Sequence, residues 1–538
     1  MIKFELADKS FRTSFINLIQ SISPADEEAN PSSAHRIYSR ALRIETTVRG
    51  RVKTMTFPVK DLIGCEYTDE GENMIEISVL PINLTNGWGC RKISNYKNTQ
   101  SAKRELYSFE FNAMSRQNAL NIVGTLQDLI VGKEPQSEYE TLPDRRKILI
   151  FLNPFSCNGK SRRVWNNSAK AIFDKASLDY TFIETERGGQ AHDFVSTEDL
   201  DQFESIVTVS GDGLIHEVVN GLLQREDKYY ERRKIPIGAL PGGSSNGFVK
   251  TLTYESGESS GVEQACLLII KGHVRNIDII RYELDGREKP IFSFLCFFWA
   301  ILSDVDLESE KIRCVGSSRF TIWSLLRVFK LRKYRGMLKY NGEDLLNKNQ
   351  KVRDIEDEGT VRSDSGREES KQGSFEKKVQ NESQASSFKS SEFRANSKSK
   401  VLKELDCNFS YISINNTQFA GEKFYNAPLC KVNDGYMDVV IQEGDHIGTC
   451  KILKLMLNFE KGQFFNNQGD IKQQLSINYK KVKHFTLKPD LDFLPKNEQE
   501  DPDYENQTFG WYSIDGEKYP PCEITGVTIK QGLAVTML

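Results

Sequence analysis

The sequence lacks the cysteine and histidine patterns that build metal centres or disulfide frameworks. Its ten cysteines are scattered singly, without a CxxC pair, and its six histidines are isolated. This pattern excludes a zinc site of the usual spacing and a disulfide scaffold. Because unpaired thiols are typical of a reducing compartment, we expect a cytoplasmic protein.

Strong net charge and long apolar segments are also missing. The 72 basic and 75 acidic residues give a net charge of -3, which argues against a general nucleic-acid-binding surface. The first residues, MIKFELADKSF, lack the basic-then-apolar order of a signal peptide. The longest nearly continuous apolar run, residues 291–302, is shorter than the ~20 residues that cross a bilayer. It predicts a buried strand, so any contact with a membrane surface is expected to be peripheral.

A chain of 538 residues is too long for one hydrophobic core and should divide into several domains. In residues 1–135, short β-type runs precede one amphipathic helix. The runs cover 36–48, 52–59, 62–68, 74–82 and 106–111, and the helix covers 116–131. Several strands closed by a C-terminal helix predict a pleckstrin-homology-like (PH-like) α+β module. Its sequence shows no phosphoinositide pocket, which favours a docking or interaction domain over a lipid-headgroup domain.

Strand and helix patterns alternate through residues 145–272, beyond a polar linker at 137–146. The predicted strands are 147–152, 178–184, 206–209 and 235–240, and the predicted helices are 161–176, 190–198, 214–223 and one from Asn246. This alternation predicts an α/β nucleotide-binding domain with a mostly parallel sheet. Its ligand should lie at the carboxyl ends of the strands.

The pattern changes to consecutive strands after residue 272. The predicted strands are 274–283, 290–301, 336–340, 408–415, 437–442, 483–488, 511–514, 523–530 and 533–538. They predict an antiparallel β-rich C-terminal domain, 273–342 and 406–538, with the nucleotide in the cleft between the two domains. Residues 343–405 are rich in Ser, Lys, Glu, Asp and Asn, and are predicted to be a disordered insertion because they can bury little apolar area.

Three predicted strand-to-helix junctions carry glycine: ILIFLNPFSCNGK, SIVTVSGDGLIHEVVNG and IGALPGGSSNG. Glycine lets the backbone approach a ligand, and the N-terminus of the following helix offers free N–H groups to phosphate. Alone, each turn is most often only a tight connection, but three in succession indicate a nucleotide site. None matches GxxxxGK[ST], or GxGxxG with a downstream ribose-binding acid, so the phosphate grip is of another kind.

The three glycine-containing junctions and one further segment resemble one enzyme family. SGDGLIHEVVNG and LPGGSSNG resemble the signature loops of the diacylglycerol-kinase-like lipid kinases, and NPFSCNGK resembles their first phosphate loop. SDVDLESEK, residues 303–311, resembles the sphingosine (long-chain-base) kinase branch. The resemblance covers roughly residues 145–538 with one insertion. It implies a kinase that uses ATP and Mg²⁺ to phosphorylate the primary hydroxyl of a sphingoid base, bound largely by the β-rich domain. Ceramide and diacylglycerol are alternative acceptors, and a catalytically weak lipid-binding scaffold is an alternative of another class.

Asp212, in the second junction, is the candidate general base. Phosphoryl transfer mainly requires a protein to position the donor, neutralise charge and accept a proton. The SGDG loop would hold the Asp212 carboxylate beside the γ-phosphate, where the acceptor hydroxyl must lie. The resemblance implies the same role. The alternative is an aspartate that only forms the turn or caps the helix predicted to start at Leu214.

The remaining nucleotide contacts are implied by the resemblance. They fall on the loops, at Asn153, Ser156, Gly159, Thr185, Ser210, Gly211, Gly213, Gly243, Ser244, Ser245 and Asn246. Glu217 would contact the ribose or, equally, brace the loop. Ser156, Cys157 and Ser245 stand where the family usually has glycine, which brings a Cβ close to the phosphates and leaves weak nucleotide binding as an alternative.

Three residues of the C-terminal half complete the implied nucleotide site. Asp515, in the IDGEKYP motif, would close the site from the β-rich domain and hold Mg²⁺ through water. Arg313 and Arg319 match arginines that reach the ATP phosphates in the family, where a guanidinium offsets developing charge. Exposed arginines beside acidic neighbours are the equal alternative.

Asp306 is the candidate substrate-binding residue. A sphingoid base carries an ammonium group at one end of a long alkyl chain, so its pocket needs a carboxylate at the mouth of an apolar tunnel. The resemblance assigns this role to Asp306, which follows the apolar run 291–302. The alternative is a solvated acidic turn that includes Asp304, Glu308 and Glu310.

Residues 319–335, RFTIWSLLRVFKLRKYR, combine apolar and basic side chains. A basic amphipathic helix suits a lipid gate at a membrane surface, which we favour because the substrate must enter from a bilayer. A core helix with a solvated basic face is the alternative. The oligomeric state stays open at this point, with a homodimer among the options.

Overall fold

The computed structural model of the chain describes residues 3–8, 11–20, 40–48, 51–68, 73–82, 104–157, 159–227, 229–315, 318–329, 332, 334–344, 403–443, 477–493 and 510–538. Most of the predicted insertion, residues 345–402, lies outside the described residues. The two ends of that predicted segment belong instead to strands that flank it, one ending at Asp344 and the other beginning at Lys403.

The N-terminal region forms a seven-stranded antiparallel sheet in the order β4-β3-β2-β1-β7-β6-β5. Its strands are β1 (Lys3–Asp8), β2 (Phe11–Gln20), β3 (Arg40–Val48), β4 (Arg51–Pro58), β5 (Leu62–Thr68), β6 (Met74–Val79) and β7 (Tyr107–Ala113). Sequence patterns predicted the last five and missed β1 and β2. Helix α1 (Arg116–Ile130) begins at Ser115, whose hydroxyl accepts the N–H of Asn118 at 3.2 Å, and packs on β5.

This first sheet must curl. A single 3-10 turn, Val59–Asp61, joins the two edge strands β4 and β5. The chain from Pro58 to Leu62 spans at most about 15 Å, whereas seven flat strands would place their edges about 29 Å apart. The sheet therefore bends until its edges approach each other.

Buried polar contacts join the first sheet to the rest of the protein. Arg104 donates to Asp61 at 2.7 Å and, through two nitrogens, to Glu258 at 3.1 and 2.7 Å. The buried ammonium of Lys271 donates to the carbonyl oxygens of Val59 at 3.0 Å and Leu62 at 2.6 Å. Because these groups are removed from water, each depends on its partner across the contact.

The central region is an α/β layer whose strands run parallel in the order β9-β8-β10-β11. The strands are β8 (Lys147–Leu152), β9 (Asp179–Glu184), β10 (Ser205–Ser210) and β11 (Ile237–Pro241). The helices are α2 (Lys160–Val164), α3 (Lys170–Asp174), α4 (Gln190–Thr197), α5 (Asp212–Leu223), α6 (Tyr229–Arg232), α7 (Gly247–Glu255) and α8 (Val262–Lys271). A π-helical turn, Trp165–Ala169, joins α2 to α3. The predicted α/β alternation is confirmed, and the carboxyl ends of β8, β10 and β11 bring the three glycine-rich loops together.

The C-terminal region is rich in antiparallel strands, as predicted. They are β12 (Val274–Leu284), β13 (Ile291–Ser293), β14 (Cys296–Ala300), β15 (Tyr334–Asp344), β16 (Lys403–Asn415), β17 (Met437–Glu443), β18 (Asn478–Pro489), β19 (Tyr512–Ile514), β20 (Glu517–Tyr519) and β21 (Ile524–Thr536). Two further helices are α9 (Ile301–Glu308) and α10 (Ser318–Phe329), with 3-10 segments at Ser309–Val315 and Leu491–Phe493. None of the helices in the described ranges has the length and apolar content needed to span a membrane.

Strand β21 joins the α/β layer and the β-rich region into a single continuous sheet. It pairs with β12 and β18 antiparallel and with β11 in parallel, through Ile237 and Val535. The prediction of two strands here, 523–530 and 533–538, is wrong. Register with β12 jumps between Ile529 and Leu533, and Gln531 has φ +53°, so the apparent break is a bulge within one strand.

Candidate active site

Asp212 is the first residue of α5 and directly follows the buried strand β10 and Gly211. Asp212 is 6% exposed, and its carboxylate accepts the backbone N–H groups of Gly247 at 2.9 Å and Phe248 at 3.1 Å. These residues begin α7, whose N-terminal dipole favours an anion. Asp212 therefore caps the neighbouring helix α7, whereas α5 has no side-chain cap of its own.

The surroundings of Asp212 favour its protonated form. Burial raises the pKa of the Asp212 carboxyl to about 6, and the two backbone hydrogen bonds oppose that rise. The negative charges of Asp515 and Asp306 also raise this pKa. A carboxyl group with a pKa near neutrality suits proton transfer at physiological pH.

The second and third glycine-rich loops are in direct contact. A Cβ on Gly243 would lie 2.3 Å from the Cα of Gly211, and one on Gly211 would lie 3.2 Å from the Cα of Gly243. No side chain fits at the first of these positions without moving backbone. This contact brings the Asp212 loop beside the start of α7.

The third loop is shaped by Asn246, which adopts left-handed dihedrals at φ +53°. Its side chain accepts the N–H of Gly243 at 2.8 Å and donates to the carbonyl oxygen of the same residue at 3.0 Å. Ser245 donates to the carbonyl oxygen of Ala420 at 3.0 Å. The hydroxyl of Ser245, which stands where the family has glycine, is therefore used in a hydrogen bond to the backbone at Ala420. Ser244, between Gly243 and Ser245, is half-buried.

The first loop follows β8. Asn153 accepts the N–H of Phe155 at 2.9 Å, and the buried hydroxyl of Ser156 donates to the carbonyl oxygen of Gly242 at 3.3 Å. Gly159 has φ +76°, a left-handed conformation that glycine adopts without strain, and precedes α2. The loops after β8 and β11 are thus connected.

Lys160 adds a cation between these loops that sequence reasoning did not select. Its ammonium donates to the carbonyl oxygen of Gly243 at 2.9 Å. The signal for this residue was the lysine that ends the NPFSCNGK motif.

Thr185, after β9, is buried and donates from its N–H to the carbonyl oxygen of Leu152 at 2.8 Å, so it braces the end of β8 beside the first loop.

Asp306 reaches this site from the C-terminal region. It lies in α9, is half-buried, and accepts a hydrogen bond from the hydroxyl of Ser513 in β19. Desolvation raises the pKa of Asp306, while Ser513 and the charge of Arg319 oppose the rise. The structure thus brings the two candidate carboxylates, Asp212 and Asp306, into electrostatic contact.

Asp515 connects the two sides of the site. Its carboxylate accepts from the hydroxyl of Ser293 at 2.6 Å and from the N–H groups of Phe294, Leu295 and Cys296 at 3.3, 3.0 and 3.0 Å. The ring of His216, one turn after Asp212 in α5, lies 3.0 Å from Asp515 and 3.0 Å from the hydroxyl of Tyr519. Asp515 therefore fastens the β13–β14 connection and the β19–β20 turn to α5.

Further acidic groups surround the same junction. A Cβ on Gly213 would lie 2.8 Å from the Glu517 carboxylate, which places that acid against the Asp212 loop. Desolvation raises the pKa of Glu517, and the charges of Glu217 and Asp306 contribute to the rise. The junction therefore concentrates negative charge and favours a cationic ligand.

Comparison with known proteins identifies the family. A model of the diacylglycerol kinase catalytic domain matches residues 147–282. The chain is 30% identical to sphingosine kinase 2 of Arabidopsis thaliana over 399 residues, which cover 73% of this chain and 76% of that relative. The chain belongs to the sphingosine kinase family.

Other members of the sphingosine kinase family match over shorter stretches. Sphingosine kinase 2 of Homo sapiens is 36% identical over 206 residues, which cover 37% of this chain and 31% of that relative. Sphingoid long chain base kinase 4 of Schizosaccharomyces pombe is 32% identical over 192 residues, which cover 36% and 40%. The matches thus span less than half the length of these two relatives. A crystal structure of a diacylglycerol kinase from Bacillus anthracis aligns with 74% of this chain and 98% of its own, at 16% identity and a TM-score of 0.43.

The two arginines expected at the phosphates of a sphingosine kinase differ in what the structure describes. Arg319 is 4% exposed, pairs with Glu310, and stacks on the ring of Phe320 at 4.3 Å. The alternative of an exposed arginine is therefore wrong for Arg319. Arg313 lies in the segment Ser309–Val315, and its side chain falls outside the described portion of the chain.

The acidic segment of α9 is not a solvated turn. Asp304 is 2% exposed and Glu308 is 3% exposed. Arg332 pairs with both acids, at 3.2 Å to Asp304 and 3.0 Å to Glu308. Sequence reasoning missed this arrangement, although acids four residues apart on a helix share one face.

Helix α10 does not match the alternative of a core helix. Ile322, Leu325, Leu326 and Phe329 are 41%, 42%, 54% and 77% exposed. Its buried members are Arg319 and Val328. The helix therefore presents an apolar face to solvent, which we call the α10 apolar face.

Proposed function

We propose that the protein transfers the γ-phosphate of ATP to the primary hydroxyl of a sphingoid base and gives the 1-phosphate. Membership of the sphingosine kinase family supports lipid kinase activity on such bases. The structural observation that carries the proposal is the convergence of Asp212, beside the glycine-rich loops, with Asp306 from α9. One carboxylate serves the reacting hydroxyl and the other serves the ammonium group.

In this mechanism, the loops after β8, β10 and β11 hold the phosphates through backbone N–H groups. Asp212 accepts the proton of the substrate hydroxyl while the oxygen of that hydroxyl forms a bond to the γ-phosphorus. The bond from that phosphorus to the β–γ bridging oxygen breaks, and ADP leaves. Asp306, already held by Ser513, keeps its second oxygen for the ammonium group. Ceramide and diacylglycerol lack that amine and gain nothing from this carboxylate.

The acidic residues are chemically suited to Mg²⁺. Among the described residues, no three potential ligands converge on one point, but Mg²⁺ commonly binds through one or two carboxylates together with phosphates and water. The Oε2 atom of Glu217 is buried and has no hydrogen-bond partner within the described ranges. Glu217 and, through water, Asp515 would hold the ion, which would supply charge neutralisation to the phosphates.

We assign the α10 apolar face to peripheral contact with a membrane on the cytoplasmic side. The patch consists of one phenylalanine and three aliphatic side chains. Contact with the lipid interface would remove their apolar surface from water, which is favourable. This placement lets a long-chain base pass from bilayer to site without leaving an apolar environment.

For the N-terminal region, the curled sheet closed by α1 supports the PH-like interpretation, as a docking domain. The boundaries 1–135, 145–272, 273–342 and 406–538 stay predictions, as does a homodimer.

Purified protein incubated with labelled ATP and one lipid at a time tests the proposal. Label should appear on a sphingoid base and not on ceramide or diacylglycerol. Asp306→Asn should raise the KM for the base by about tenfold or more. The matched control Asp174→Asn removes an exposed carboxylate of α3 and should leave the KM for the base unchanged. Label on diacylglycerol alone would overturn the assignment of Asp306.

A further inference from the structure

Helix α9 carries acids on two opposite faces. Asp304 and Glu308 are four residues apart and lie on one face, whereas Asp306 points about 200° away from Asp304 around the helix. The proposed substrate-binding acid therefore faces Ser513 in β19. The other two acids face α10 and the chain that follows it.

Glu308 accepts hydrogen bonds from the side chains of a tryptophan and two arginines. It accepts the indole N–H of Trp323 at 2.8 Å, the guanidinium of Arg327, and the guanidinium of Arg332 at 3.0 Å. Since Glu308 is 3% exposed, these donors replace the water that its charge has lost.

Asp304 extends the same contact by one turn. It accepts the hydroxyl of Tyr334 and lies 3.2 Å from Arg332, which therefore bridges both acids. Burial raises the pKa of Asp304 to about 7, with the arginine charges opposing the rise. The two buried acids and the two half-buried arginines form an ionic group. Together with the indole we call it the α9–α10 clasp: Asp304, Glu308, Trp323, Arg327 and Arg332.

The clasp explains why α10 is oriented with its apolar side outward. Arg327 turns inward to Glu308, while Leu326 and Phe329 on either side of it remain exposed. At the other end of the helix, Arg319 pairs with Glu310. Ionic contacts thus hold α10 to α9 at one end and to the 3-10 segment Ser309–Val315 at the other. Buried Val328 adds an apolar contact with the core.

We propose that the α9–α10 clasp is a positioning device that couples the α10 apolar face to Asp306. It rests on the proposed function, because it assumes that Asp306 binds the ammonium group and that α10 meets the membrane. The clasp fixes the rotation of α9 from the face opposite Asp306. When the clasp is broken, α9 keeps its buried apolar contacts but loses the contacts on the face opposite Asp306, so Asp306 is held less firmly at the head group.

Kinetics with two substrates separate this role from a general structural one. Glu308→Gln should raise the KM for a sphingoid base by about tenfold and leave the KM for ATP within about twofold. Trp323→Phe keeps an aromatic ring but removes one donor, and should give a smaller rise of about threefold. Glu404→Gln, which removes an exposed acid paired with Lys339 at 3.3 Å, is the matched control. Equal changes in both KM values, or a fall in kcat alone, would overturn the proposal.

Hydrogen exchange tests the clasp without relying on catalysis. In Glu308→Gln and in Trp323→Phe, amide exchange should become faster in both 301–308 and 318–329 and stay unchanged in the β8–β11 sheet. If the wild-type protein proves inactive on every sphingoid base, faster exchange in these two helices would still support the clasp, and the proposed function alone would fail. Unchanged exchange in α9, or faster exchange throughout the chain, would contradict the coupling.

Discussion

Replacing Asp212 with asparagine should remove a pH-dependent component from the stability of the protein. The carboxyl is buried and its pKa rises from 3.8 to about 6 in the folded chain. A raised pKa means that the folded protein holds this proton more tightly than the unfolded chain. The stabilisation is therefore complete below about pH 4 and is lost as the pH rises through about 6.

The size of this component follows from the shift. About two pKa units correspond to about 3 kcal/mol in total. Of this, about 2 kcal/mol should disappear between about pH 4.5 and about pH 7.5. Asparagine still accepts one of the two N–H groups at the start of α7 but presents an N–H to the other, at a cost of about 1–3 kcal/mol that does not vary with pH.

Urea denaturation of wild type and Asp212→Asn across this pH range measures the difference directly. Wild type should be more stable relative to the variant at the acidic end, and the gap should shrink by about 2 kcal/mol toward neutral pH. Titrations of groups that are not electrostatically coupled to Asp212 occur in both proteins and cancel. A difference that stays flat, or that grows as the pH rises, would refute the reasoning about this carboxyl group.

Four further outcomes are expected. The rate of lipid phosphorylation should rise with pH and level off above about 6, because the Asp212 carboxyl must be ionised to accept the proton; a fall across that range would contradict the base. Gly243→Ala should destabilise the protein by about 1–3 kcal/mol in a thermal unfolding assay, while Gly188→Ala, which meets nothing within 4 Å, should not. Phe329→Ser should weaken binding to anionic vesicles about tenfold at an unchanged melting temperature; unchanged sedimentation with vesicles would remove this residue from the membrane contact. Arg104→Met should destabilise the protein by about 3–5 kcal/mol, because it removes the buried charge that pairs with Asp61 and Glu258. A loss under about 1 kcal/mol would show that water reaches these acids.

The α/β half could be predicted from the sequence because its signals are local. The β10 segment is rich in β-branched residues and buried along its whole length, and it ends at a glycine turn that starts a helix. Period, turn and helix start all lie within a few residues of one another. The position of Asp212 at the junction follows from them.

The β-rich half could not be predicted in the same detail because long-range contacts decide it. Residues 290–301 predicted one strand, yet β13 ends at Ser293 and β14 begins at Cys296. Asp515 takes the N–H groups at this break, 219 to 221 residues along the chain. His216 meets Asp515 across 299 residues. No local pattern indicates contacts of this separation.

The amphipathic segment showed a different limit. Its composition predicted basic and apolar faces, but not which of them faces the protein. The answer depends on Glu308 and Asp304, whose burial could not be inferred from an acidic run that is usually solvated. Arg327 therefore points inward where composition alone favours exposure.

A structure of the protein with a non-hydrolysable ATP analogue and a sphingoid base is the most direct measurement. We predict the primary hydroxyl oxygen at about 3 Å from the Asp212 carboxylate, facing the γ-phosphate, and the ammonium group at a similar distance from Asp306. An ammonium bound elsewhere, or a nucleotide away from the loops after β8, β10 and β11, would contradict the account.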